Sequence, residues 1–103
     1  MTPKEDELIY EQISQYQDIA EEMKTEIEDS EDIDLKSKQE ILFPMIDEIT
    51  KFANKLVIEY IKYLKDKKNK ENAEILTDDL ELMIEKIDIF KDRVCEIYEL
   101  NNK

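Results

Sequence analysis

Glycine, histidine and tryptophan are missing from this chain, proline occurs twice and cysteine once. Without glycine, the left-handed positions of tight hairpin turns have no ready occupant, and scarce proline removes the other common turn former. A helical fold is therefore the expectation. Without histidine, the chain lacks the commonest general base and the commonest neutral metal ligand. The lone Cys95 cannot close an internal disulfide, which suits a reducing compartment. No apolar run approaches the roughly 18 residues of a membrane span, and the opening MTPKEDELIYEQ is acidic where a secretory signal is basic and then apolar. A cytoplasmic protein without membrane contact is the expectation.

What remains is helix-forming material. Charged residues make up 42% of the chain and hydrophobic ones 41%, a balance of long amphipathic helices rather than of a disordered tail. At 103 residues the chain has room for one modest core, so a single domain over 1–103 is expected. Its net charge of −13 argues against direct contact with nucleic-acid phosphates, which are held by clustered lysine and arginine.

The periodicity is specific. Ile9, Ile13, Tyr16, Ala20, Met23 and Ile27 alternate steps of four and three, as do Leu42, Ile46, Ile49, Ala53, Leu56, Tyr60 and Tyr63. Leu76, Leu80, Met83, Ile87, Phe90, Val94 and Ile97 repeat the pattern a third time. Each series keeps one apolar stripe on one face of a slightly underwound helix. The expected helices cover about 3–28, 34–68 and 72–100. Thr2-Pro3-Lys4-Glu5 fits a capping box at the first start, and Asn72 or Thr77 opens the third helix. Short connections make sequential helices antiparallel neighbours, so the predicted fold is all-α, an up-down-up three-helix bundle with heptad-type packing.

Charge agrees with that order. Residues 1–34 hold 13 acids and 2 bases, residues 35–70 hold 5 and 9, and residues 71–103 hold 10 and 4, giving net charges of −11, +4 and −6. A basic helix placed between two acidic ones attracts both. Within the basic segment, EILFPMID (residues 40–47) sets Pro44 in the most apolar run. An interior proline removes one backbone bond and crowds the carbonyl four residues back, so the second helix is predicted to kink near Pro44 while Leu42, Ile46 and Ile49 stay in phase.

Several apolar residues fall off the seams. Ile75, Leu82 and Ile89 recur every seven residues on the third helix, Ile58 and Ile61 lie on the outer side of the second, and Ile41, Phe43 and Met45 surround the proline. A surplus in register marks a contact surface. These eight are the candidate partner-binding residues.

Catalytic and metal-binding sets are not found. Cys95 has no histidine to activate it. The acidic turn around Asp32 lacks the glycine and the closing glutamate of an EF-hand. Glu28-x-x-Glu31 and Glu85-x-x-Asp88 have spacing similar to the Mg²⁺-gathering pairs of helical nucleotide pyrophosphohydrolases, but Glu85 and Asp88 fall on outward heptad positions, where bundle metal sites are not built. Asp29-Ser30 is followed by Glu31 where acyl carrier proteins have leucine. The expected function is a non-enzymatic interaction module (an adaptor, chaperone or inhibitor) without cofactor or metal, binding a partner helix or itself through an apolar strip on the second and third helices. The alternatives are an acidic decoy for a basic nucleic-acid-binding surface and an Mg²⁺-dependent bundle hydrolase.

Overall fold

The computed structural model describes residues 3–101, and these are helical apart from two short connections. The helices are α1 (Pro3–Asp29), the single turn α2 (Leu35–Ser37) and α3 (Phe43–Lys65), with a π-helical segment at Lys38–Leu42 joining the last two, and then α4 (Lys70–Asn101). No strand occurs among the described residues. Thr2, the expected first cap, lies outside them. The molecule measures 54 × 19 × 18 Å, and its long dimension follows from α4, whose 32 residues span about 48 Å at ~1.5 Å each.

The buried apolar side chains are those of the three seams. Ile13 through Ile27 on α1, Leu42 through Tyr63 on the middle run and Leu76 through Ile97 on α4 form one cluster, with Ile9, Tyr60 and Val94 partly buried against it. Ile33, in the turn after α1, is the one buried apolar residue off the seams among those described. Leu42, Ala53, Leu56, Leu76 and Met83 are fully enclosed.

Pro44 sits in the first turn of α3, with its ring exposed. The preceding residue, Phe43, keeps helical angles of φ −63° and ψ −41°, although a residue before proline is ordinarily pushed toward extended backbone. There the Phe43 N–H donates to the Lys38 carbonyl five residues back, and Pro44, which has no N–H to place, follows as α3 begins. One extra residue per turn also rotates everything upstream by roughly 100°. Counting back seven from Leu42 reaches Leu35, which lies 65% exposed instead of in the core. Periodicity alone gives no sign of this phase change.

Helix ends are fixed by side chains. The Asp34 carboxylate accepts from Ser37 N–H at 3.0 Å and from Ser37 Oγ at 2.7 Å, starting the middle run. α1 ends among acids with no base in its last turn. Lys38 supplies the missing charge, its Nζ donating to the carbonyls of Glu28 (3.2 Å) and Ser30 (2.6 Å), where the helix dipole is negative. Asn69 Oδ1 accepts from the N–H groups of Glu71 and Asn72, which is why α4 begins at Lys70, earlier than Asn72 or Thr77. Thr77 lies within the helix, its Oγ1 donating to the Ala73 carbonyl.

Candidate interaction surfaces

α3 packs along both other long helices, and its two flanks differ. Toward α1 the contacts are aromatic and apolar, with hydrogen bonds from Tyr60 and Tyr63 to Asp6 and from Gln17 to Asn54: Tyr10 and Tyr60 rings lie 6.2 Å apart, and Ile61 shares a groove with Tyr10, Val57 and Tyr60. Toward α4 the contacts are ionic. Lys55 pairs with Asp79 at 3.5 Å and with Glu59 at 3.7 Å, and Lys86 pairs with Glu48 at 3.3 Å. The ammonium groups of Lys55 and Lys86 lie 5.4 and 5.2 Å from the Phe52 ring, one from each helix, within the range of cation–π attraction. Phe52 thus gathers two lysines from different helices over one ring, a role no heptad count reveals.

The eight candidate residues do not form one surface. Ile75, Leu82 and Ile89 are exposed on α4, and Ile89 meets Met45 in a small groove floored by Ile49 and edged by Glu48 and Lys86. Phe43 lies on the opposite flank of α3, in a groove of about 610 Å³ with Ala20 and Lys24 of α1. Two residues apart on a helix is about 200°, so Phe43 and Met45 point to different neighbours. Ile41 is half-buried in the π segment, against the core. Ile58 is 55% exposed and Ile61 45%. The stripe of α4 together with Met45 is the continuous part.

Two buried carboxylates were not anticipated. Asp6 accepts from the Tyr63 hydroxyl at 3.0 Å and from Lys67 Nζ, while its backbone carbonyl accepts from the Tyr60 hydroxyl at 3.0 Å. Lys67, and after it the Tyr63 hydroxyl, hold the Asp6 carboxyl below its ordinary range against the opposing effect of burial. Glu59 is the reverse case. Burial, reinforced by the neighbouring Asp79 carboxylate, pushes it up to about 7, with Lys55 only partly offsetting. Its Oε2 has no hydrogen-bond partner. Asp6 lies three residues before Ile9, on the extension of the first seam, and Glu59 is the one acid between Glu48 and Asp66; an acid on or beside a heptad seam is the signal that marks both.

The acidic turn is tied to the far end of α4: Tyr98 donates to Asp32 Oδ2 at 3.2 Å, and Asn101 Nδ2 donates to the Asp32 carbonyl and to Asp34 Oδ1. Glu28, Glu31, Glu85 and Asp88 are exposed, and no cluster of metal-ligating side chains occurs among the described residues. None of the helices there is long and apolar enough to cross a membrane. No family model, curated protein or solved structure matches this chain.

Proposed function

We propose that this chain is a non-enzymatic, cytoplasmic protein-binding module whose apolar stripe on α4, extended by Met45 of α3, receives a partner helix or a second copy. The observation that carries the reading is the stripe itself: Ile75, Leu82 and Ile89, 42%, 40% and 53% exposed, repeat every seven residues along α4. A partner helix reads such an edge through anchors at matching heptad spacing. The glutamates and lysines beside it set orientation and encounter rate rather than affinity.

The scaffold in this proposal is an up-down-up three-helix bundle with coiled-coil-like seams, bent near Pro44. The order is supported by pairs that run in opposite senses: Asp6 with Tyr63 and Gln17 with Asn54, then Glu48 with Lys86 and Lys55 with Asp79. The bend is supported by the π segment that ends beside the proline.

The test is a sedimentation or light-scattering mass at micromolar concentration, followed by partner capture with Leu82→Glu and Ile89→Glu. A dimer that Leu82→Glu dissolves, or a partner that it releases, supports the reading. Unchanged self-association and partner binding in both variants count against it. A second reading, an acidic decoy for a basic nucleic-acid-binding surface, draws on the outer face of α1, where Asp18, Glu21, Glu22, Glu26 and Asp29 line a concave surface without a basic residue. It predicts affinity that falls steeply with salt.

A further inference from the structure

α1 and α4 each pack along α3 but meet one another far less. Electrostatics accounts for the open edge. The outer segments carry −11 and −6, and the middle segment, at +4, attracts both from one side only. Along the open edge runs a groove of about 320 Å³ walled by Met23 and Ile27 of α1 and by Phe90, Val94 and Cys95 of α4. Its floor is the core, since Met23, Ile27 and Phe90 are all buried members of it. Ile84, 46% exposed, lies seven residues before the groove-lining Lys91 and so extends the apolar line on the same face of α4. At the rim, Glu26 belongs both to this groove and to the acidic outer face of α1, and Lys91 is the one base among the groove-lining residues described.

We infer that this edge is the docking site of a basic amphipathic helix from another protein, which seats between α1 and α4 and completes a four-helix arrangement of alternating charge. The apolar line accepts side chains at heptad spacing, and on the α1 side Glu26 and the adjoining acids of the outer face pair with lysines or arginines on the polar face. The occupant mirrors α3, which already performs the same bridging on the opposite side. A second copy does not fit. It carries −13 overall, and its own basic helix is occupied between its acidic ones, so it brings like charge to the rim. The groove is distinct from the stripe of Ile75, Leu82 and Ile89, so the two surfaces fail or succeed separately.

Cys95 gives the experiment a position-specific readout, because it is exposed and lies in the groove wall. The full chain is titrated with a synthetic helix of about three heptads carrying leucine at a and d and lysine elsewhere, alongside a twin with glutamate in place of lysine. The lysine helix binds with an affinity that weakens as salt rises, the twin does not bind, and alkylation of Cys95 slows in proportion to the fraction bound. Val94→Glu and the more exposed Ile84→Glu weaken binding and restore the alkylation rate, while Leu8→Glu, exposed near the far end of α1, changes neither. Ile84→Glu guards against a Val94 variant that merely loses structure, as checked by helicity and melting temperature. Cys95 alkylated at full rate in the saturated complex, equal binding by the glutamate twin, or undiminished binding in a folded Ile84→Glu each overturn the inference.

Discussion

Asp6 and Glu59 lie in different parts of the molecule, one where α1 meets the end of α3 and the other along the α3–α4 seam, and they are almost equally buried, at 6% and 9% exposure. Burial pushes both carboxyls the same way, yet their pKa values move in opposite directions. The difference lies in the partners. Asp6 has a lysine and a tyrosine hydroxyl on its two oxygens, whereas Glu59 shares one lysine with a second carboxylate and leaves one oxygen orphaned. A buried acid stabilises the ionised fold only when its lone pairs are met, and otherwise it penalises that fold.

The apolar seam between them sets the scale. Leu56 is fully enclosed one turn before Glu59, and Leu56→Ala should cost about 2–5 kcal/mol, as for other leucine truncations in close-packed cores. Chemical denaturation measures it. A loss under about 1 kcal/mol would mean that the seam is loosely packed and that the polar sites carry more of the stability than is argued above.

Next in size comes Asp6→Ala, which strips the carboxylate from Tyr63 and Lys67 together and should lower the melting temperature by several degrees at neutral pH. Because the folded-state pKa of Asp6 lies below 3.8, its contribution is present above that value and is lost as pH falls through the lower folded-state pKa. Wild type should therefore lose part of its stability at acid pH by a route the variant lacks. Parallel melting curves across that acid range would contradict the assignment.

Glu59→Gln is smaller and opposite in sign. With its pKa raised from 4.5 to about 7, Glu59 binds a proton in the folded chain that the unfolded chain has already released, so stability drops progressively across that interval and stays low above it. The variant should match wild type near pH 5 and exceed it near pH 8. A variant less stable at both values would show that the carboxylate, and not its amide isostere, is what the seam requires.

Much of the fold can be read from residue spacing, and the reason is physical. Seam residues such as Ile13, Ile49 and Ile87 are buried because a heptad stripe has one face, and burying it leaves little freedom in which side chains turn inward. What spacing cannot convey is a change of phase or a pairing between distant residues. Leu35 is exposed because the π segment rotates the turn before it, and proline signals only that something must give. Asp6 finds Lys67 across 61 residues, and Phe52 finds Lys86 from another helix. The candidate surfaces divide in the same way. Ile75, Leu82 and Ile89 lie on a single helix and keep their register, whereas Phe43 and Met45, grouped by proximity in sequence, face different neighbours.

The finest probe of the contrast between the two acids is Lys55→Met, which keeps the aliphatic stem and removes the one ammonium shared by Glu59 and Asp79. Lys55 is well exposed, and exposed pairs contribute about 0–1 kcal/mol. Near pH 5, where Glu59 is protonated, the variant should therefore melt close to wild type. As the pH rises, the two carboxylates face each other without a cation, so the loss of stability should begin from the same unfolded-state value but extend to a higher folded-state pKa. The gap between variant and wild type opens only on the alkaline side. A gap of equal size at both pH values would mean that Lys55 acts through its place beside the Phe52 ring, and the partner-based distinction between Asp6 and Glu59 would then rest on Asp79 alone.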